Sequence, residues 1–149
     1  MQRYLSALSM LPLTLTLSLA VGCAAPADEA ALRVQIAAMS EAIEARDADA
    51  LLKSVDAEFG GPGGMDRTEL RRYATLMLLR QQRVGVVMGP VEVEIHADRA
   101  SARFDAVVSG ANRFIPEGIE ARRVETVWRQ EGDEWVLVSA DWSKPALGG

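Results

Sequence analysis

Apolar positions recur at two spacings along the chain, and the change from one to the other falls near Arg83. Before it the spacing is helical. Leu32, Ile36, Met39 and Ile43 follow at intervals of four, three and four, which puts them on one helix face. Arg33, Glu41, Glu44 and Arg46 lie off that face. Asp28 supplies the N-cap, with Pro26 just outside. Asp47 is a second N-cap and opens a short helix from Ala48 to Val55, in which Leu51, Leu52 and Val55 are apolar and after which Phe59 closes the segment. Asp66 and Glu69 have capping-box spacing and start a third helix. Its Leu70, Tyr73, Leu76, Met77, Leu78 and Leu79 make a broad apolar face, and Arg67, Arg71, Arg72 and Arg80 form the pattern of a solvated side. Between the second and third helices, Gly60-Gly61-Pro62-Gly63-Gly64 reads as a turn. No Gly-Lys-Ser/Thr follows it and no strand is predicted before it, so it is not a phosphate loop.

From Arg83 the period is two. Val91, Val93 and Ile95 alternate with Glu92, Glu94 and His96, after a bend at Gly89-Pro90. Ala102, Phe104 and Ala106 alternate with Arg103 and Asp105. With Asp98 and Arg99 as turn residues, Ile95 faces Ala102, Val93 faces Phe104 and Glu94 faces Arg103. Gly110 to Glu120 reads as a loop whose Phe114 and Ile115 are placed to cover a cavity mouth. Arg122–Arg129 and Glu134–Trp142 make a second hairpin. A tight turn at Glu131-Gly132 sets Trp128 opposite Trp135 and Arg129 opposite Glu134. The predicted sheet is an antiparallel meander of at least four strands. Helices followed by such a meander make an α+β domain, here over residues 28–144, with 145–149 as a short tail.

The first 22 residues stand apart. Arg3 is their only charge, and Leu5 to Val21 is apolar or hydroxylated. A positive start, a short apolar stretch and small residues at its end make a secretory signal. At about 17 residues, and interrupted by Pro12, the stretch is short of the roughly 20 that a spanning helix needs. Its exit, Leu19-Ala20-Val21-Gly22-Cys23, resembles the bacterial lipoprotein box, with Ala20 where that box favours Leu. The resemblance implies that residues 1–22 are a lipoprotein signal peptide and that Cys23 is thioether-lipidated and anchors the chain to a membrane. Residues 23–27 are then a lipidated tether. Ala24 in place of Asp implies the outer membrane, facing the periplasm, in a Gram-negative host. The alternative is an ordinary cleaved signal with a free Cys23.

Composition narrows the chemistry. The 149 residues carry 16 basic and 21 acidic side chains, a formal net charge of −5, and loss of the leader makes it one unit more negative. An acidic chain argues against nucleic acid and against electrostatic attraction to anionic headgroups. Cys23 is the only cysteine, so no disulfide, thiol nucleophile or thiolate metal site is available to the domain. His96 is the only histidine and shares its strand face with Glu92 and Glu94, on the solvent side. No metal-ligand spacing appears and no cofactor is implied.

Three stretches carry a family resemblance: Glu44-Ala45-Arg46-Asp47-Ala48-Asp49-Ala50-Leu51 at the helix corner, Val127 to Val138 in the last hairpin, and the ending Trp135 to Trp142-Ser143. In that order they resemble the NTF2-like superfamily, in its SnoaL-like and DUF4440-like branch. The resemblance implies a strongly bent sheet wrapped round the helices as a cone, a pocket at the open end, and homodimerisation through the outer sheet face. It does not imply one reaction. Asp141 shares strand phase with Trp135, Leu137 and Ser139, and matches a position where relatives carry a pocket-lining histidine. As a carboxylate beside aromatics, it is the candidate general base. Tyr73 is the candidate hydrogen-bond donor, and Thr126, Trp128, Trp135 and Ser139 are candidates for the pocket lining. Three readings follow: a lipid-anchored periplasmic domain that binds a small apolar ligand or an envelope partner without catalysis, an isomerase- or dehydratase-type enzyme using Asp141 with Tyr73, or a dimerising structural module. The anchor is tested directly. Cys23→Ser should move the protein from the membrane fraction to the soluble fraction, and continued membrane attachment would refute lipidation.

Overall fold

The computed structural model describes residues 27–111 and 116–146. The leader with Cys23, and Phe114 and Ile115, lie outside the described residues. The elements are α1 (Ala27–Glu44), α2 (Ala48–Leu52), β1 (Val55–Gly60), α3 (Arg67–Arg80), β2 (Arg83–Met88), β3 (Glu92–His96), β4 (Arg99–Ala111), β5 (Pro116–Glu131) and β6 (Glu134–Asp141). The starts of α2 and α3 follow from their caps, whereas α1 already begins at Ala27 and holds the expected cap Asp28 within its first turn. Asp47 Oδ1 accepts from Ala50 N at 2.9 Å. Asp66 accepts from Glu69 N at 2.8 Å while Glu69 accepts from Asp66 N at 3.0 Å, which completes the capping box.

The strands form one sheet in the order β1-β6-β5-β4-β2, with β3 also paired to β4. β3 lies along Arg99–Arg103 and β2 along Ala106–Ala111, so the two are one strand bent at Gly89-Pro90. Gly89 N still donates to Asp105 O at 2.8 Å, which keeps the bend attached to β4.

Both predicted hairpin registers are corrected by two residues. Val93 pairs with Ala102, Ile95 with Ala100, and Glu92 rather than Glu94 opposes Arg103. The turn opens on Ala97 at φ 54°, a left-handed conformation that few non-glycine residues adopt. In the last hairpin the turn opens on Gly132 at φ 62°. Trp128 therefore opposes Leu137, Trp135 opposes Gln130, and Glu134 opposes Glu131. A shift of two leaves each side chain on its predicted face.

Three segments differ in kind from the prediction. Val55 to Phe59 is not the end of a helix but strand β1, parallel to β6, with Leu137 N donating to Ser54 O at 2.8 Å where the chain joins the sheet. Val55 and Phe59, four apart, share one strand face and are both buried, while Ala57 between them is exposed in a strand whose register with β6 is irregular. Much of the predicted loop is strand, since β4 runs to Ala111 and β5 starts at Pro116. The predicted tail is partly docked: Arg123 N donates to Lys144 O at 3.0 Å and Ala146 N to Ala121 O at 3.1 Å.

The helices cover one face of the curled sheet. Leu32 and Ile36 of α1 pack with Leu52, Phe59 and Leu70 against Trp128, Trp135 and Leu137. Each such side chain, fully buried, contributes about 1.5–3 kcal/mol. Ala100 opposes Trp128 on the ladder, and its small side chain leaves room for an indole only 1% exposed. The indole is also satisfied. Trp128 Nε1 donates to Thr126 Oγ1 at 2.8 Å, and that hydroxyl donates to Ala102 O at 3.1 Å. Trp135 Nε1 donates to Asp28 O at 2.9 Å and ties the start of α1 to β6. Thr126→Val removes the acceptor from a buried indole, so it should cost about 1–3 kcal/mol of urea-unfolding free energy, while Thr126→Ser retains most of it. Equal stability of Thr126→Val and the parent would show that the hydroxyl contributes nothing.

Candidate functional site

The pairing of β5 with β6 shifts by one residue at Val138. Trp128 opposes Leu137, but the preceding Val127 opposes Ser139. Such a bulge reverses the inward-outward order of everything beyond it. Trp135, Leu137 and then Ala140 are buried, whereas Ser139 is half-buried on the outer face and Asp141 is exposed. The common phase of Trp135, Leu137, Ser139 and Asp141 is thus a property of the sequence that the folded strand does not keep.

Asp141 opposes Glu125 on the outer face and accepts from Ser143 N at 2.8 Å. Hydrogen bonds from the Ser143 side chain and backbone hold its carboxyl below the ordinary aspartate value of 3.8. An exposed, stabilised carboxylate is a weak proton acceptor near neutral pH. Tyr73 is elsewhere. Its ring stacks on Trp142, with centroids 6.2 Å apart and planes at 29°, and Trp142 packs against the core. Asp141 and Tyr73 therefore lie on opposite faces of the sheet. Thr126, Trp128 and Trp135 do face inward, with their polar atoms engaged as described. His96 is exposed at the end of β3. Among the described residues, no group of three or more His, Cys, Asp or Glu is placed to hold a metal, and no helix is long and apolar enough to cross a membrane.

Ser139 and Asp141 instead line an open groove of about 420 Å³ on the outer face, with Glu92, Glu94, Arg103 and Glu125. The Arg103 guanidinium stands between Glu125 at 3.7 Å and Glu92 at 3.9 Å. Val127, 39% exposed, is the apolar patch of its floor. Beside it, Arg123 makes a two-point pair with Asp105 at 2.8 and 3.1 Å. That contact lowers the aspartate pKa and raises the arginine pKa. The groove offers ionic contacts but no nucleophile held by a base.

The opposite face has a second feature. At about 100° per residue, Leu76, Tyr73, Met77, Leu70, Ala74 and Leu78 follow one another round α3 over about 200°. Only Leu70, Ala74 and Leu78 are buried. Tyr73 is 42% exposed, Leu76 52% and Met77 40%. The unburied half of this apolar stripe meets the sheet where Trp142 stacks on Tyr73. Phe104 opposes Val124 there and Ala106 opposes Arg122, both pairs in the inward phase of Thr126 and Trp128. Arg122 Nη1 donates to Ser143 O and Nη2 to Glu120 Oε2, each at 3.4 Å. Partly exposed Tyr73, Leu76 and Met77 leave this end of the domain open to solvent. Sequence reasoning named Tyr73 but missed Arg122, although the inward phase of Thr126 and Trp128 extends back through Val124 to that residue.

Three helices inside a curled six-stranded sheet define the NTF2-like fold, and the chain has that fold. No family model and no curated protein matches the sequence. Solved structures do. A putative dehydratase from the NTF2-like family of Streptomyces avermitilis matches with a TM-score of 0.70 at 20% identity, over 81% of this chain and 97% of that one. A putative scytalone dehydratase from Novosphingobium aromaticivorans matches with a TM-score of 0.72 at 8% identity, over 82% and 95%. Bd1075 of Bdellovibrio bacteriovorus matches with a TM-score of 0.69 at 12% identity, over 78% of this chain but only 40% of that longer one. At these identities the likeness is one of fold, and the chemistry has to come from the side chains. For Asp141 the side-chain geometry makes a definite statement: in an NMR titration its carboxyl should turn over below pH 3.8. A midpoint near neutrality would restore a proton-transfer role.

Proposed function

We propose that the chain is a lipid-anchored periplasmic binding module with the NTF2-like fold, non-catalytic, that takes a small apolar ligand at the open end of the cone. The observation that carries this reading is α3, whose apolar stripe is buried over one half and left open at Tyr73, Leu76 and Met77 over the other. A helix that needed only to pack would bury the whole stripe or make its outer half polar. The stacked Tyr73 and Trp142 rings add an aromatic wall at the same place.

Two further observations favour binding over catalysis. The buried polar groups of the core, Thr126 and the two indoles, are tied into the fold. Asp141 is turned to the outer face and held ionised. The anchor and the compartment rest on the leader and on Cys23, where the lipoprotein resemblance lies.

The test uses N-phenylnaphthylamine, an uncharged apolar probe that brightens on leaving water. The full chain should bind it, and Tyr73→Ala should weaken binding about tenfold, equivalent to about 1.4 kcal/mol. Val34→Ala, on the exposed side of α1, should leave it unchanged. If Tyr73→Ala and Met77→Ala both bind the probe as the parent does, the ligand site is not at the open end.

A further inference from the structure

The charge at the open end narrows the ligand class, given the reading above that this end binds a ligand at all. Arg122 is a cation on the inner face of the sheet, opposite buried Ala106 and two residues from Val124 on the same strand. A guanidinium has five N–H donors and stays charged at any pH the fold survives. Among the described residues Arg122 uses two of them, each at 3.4 Å, beyond the usual hydrogen-bond range. One acceptor is a backbone carbonyl. The other is the Glu120 carboxylate, 69% exposed, which is free to return to water.

The neighbouring residue supplies an internal comparison. Arg123 has the same side chain on the outer face, where Asp105 grips it at two points, at 2.8 and 3.1 Å. The two side chains are similarly exposed, Arg122 at 37% and Arg123 at 30%, yet the outer-face arginine is closely paired and the inner-face one is loosely held. Two parallel N–H donors of a guanidinium fit a pair of anionic oxygens.

We propose that the open end takes an amphiphilic acid. Its apolar body lies against Tyr73, Met77 and Trp142, and its anionic head displaces Glu120 from the Arg122 guanidinium. A chain of contacts connects the two halves of this site. Tyr73 stacks on Trp142, and the next residue, Ser143, presents its carbonyl to Arg122.

Two probes with the same fused-ring and anilino parts separate the charge from the apolar contact: 1-anilinonaphthalene-8-sulfonate, an anion, and N-phenylnaphthylamine, its uncharged counterpart. Both are titrated by fluorescence into the full chain and its variants, with urea midpoints recorded for each variant. Arg122→Gln should weaken the sulfonate about tenfold, as expected for one charge-assisted pair, and change the uncharged probe by less than about twofold on the same scale. Arg122→Lys should recover part of the loss. Arg103→Gln, on the outer face, should leave both probes unchanged. Rising salt should weaken the sulfonate and not the uncharged probe, a comparison that needs no variant. Unchanged sulfonate affinity in Arg122→Gln overturns the proposal, and so does equal loss of both probes, which would make Arg122 a support for the docked tail. In either case the apolar site itself stands. If the parent chain binds neither probe, the open-end reading falls and this proposal with it.

Discussion

The ladder between β5 and β6 contains one residue too many on the β6 side, and the division of the domain into inside and outside depends on it. Up to Leu137, β6 contributes Trp135 and Leu137 to the core in regular alternation. Val138 is then absorbed without a partner, and the inward place passes from odd to even residues. Ala140 takes it, and Trp142 follows in the same sense to reach Tyr73. Without the extra residue, Asp141 would sit among the core side chains, where an ionised carboxylate is costly. The bulge therefore serves packing first. Its result for function is that the carboxylate and the aromatic wall belong to different surfaces.

The packing below the bulge ties interior polar groups to the fold itself. Among the described residues Thr126 is the one buried polar residue, and its hydroxyl is used in both directions, as acceptor for Trp128 and donor to Ala102. A hydroxyl so engaged fixes the indole and the β4–β5 ladder together and has no donor left for a substrate. The adaptable groups lie at the two margins: the charged groove outside, and the open end where α3 is left half uncovered.

Much of this was legible in the amino-acid order. Helix starts were readable because caps act locally, through Asp47 and through Asp66 with Glu69. The inward faces of β3, β4 and β5 were readable because a period of two does not depend on the partner strand. Registers were less accessible. Ala97 at positive φ carries no composition signal, and moving the first turn by one position moved every cross-strand pair by two. Val55 and Phe59 are four apart, a spacing that fits one face of a helix and one face of a strand alike, so the pattern did not separate the two. The bulge at Val138 has no mark in the sequence at all, which is why Asp141 and Ser139 were assigned to the same side as Trp135. Arg122 was readable by phase, yet its meaning needed the contrast with Arg123.

α1 sets a distance as well as a core. It begins beside the β5–β6 turn, where Asp28 accepts the Trp135 indole N–H, and ends beside β2, where Glu44 accepts from Val86 N. Its 18 residues rise about 1.5 Å each, so the two ends are about 27 Å apart. The open end lies towards the far terminus, where Arg46 donates to Gln81 O at the close of α3. An anchor ahead of Ala27, as proposed above, would hold the domain by its base, with the open end about a helix length away. The two ends of the domain are thus held apart by one helix that also fills its core.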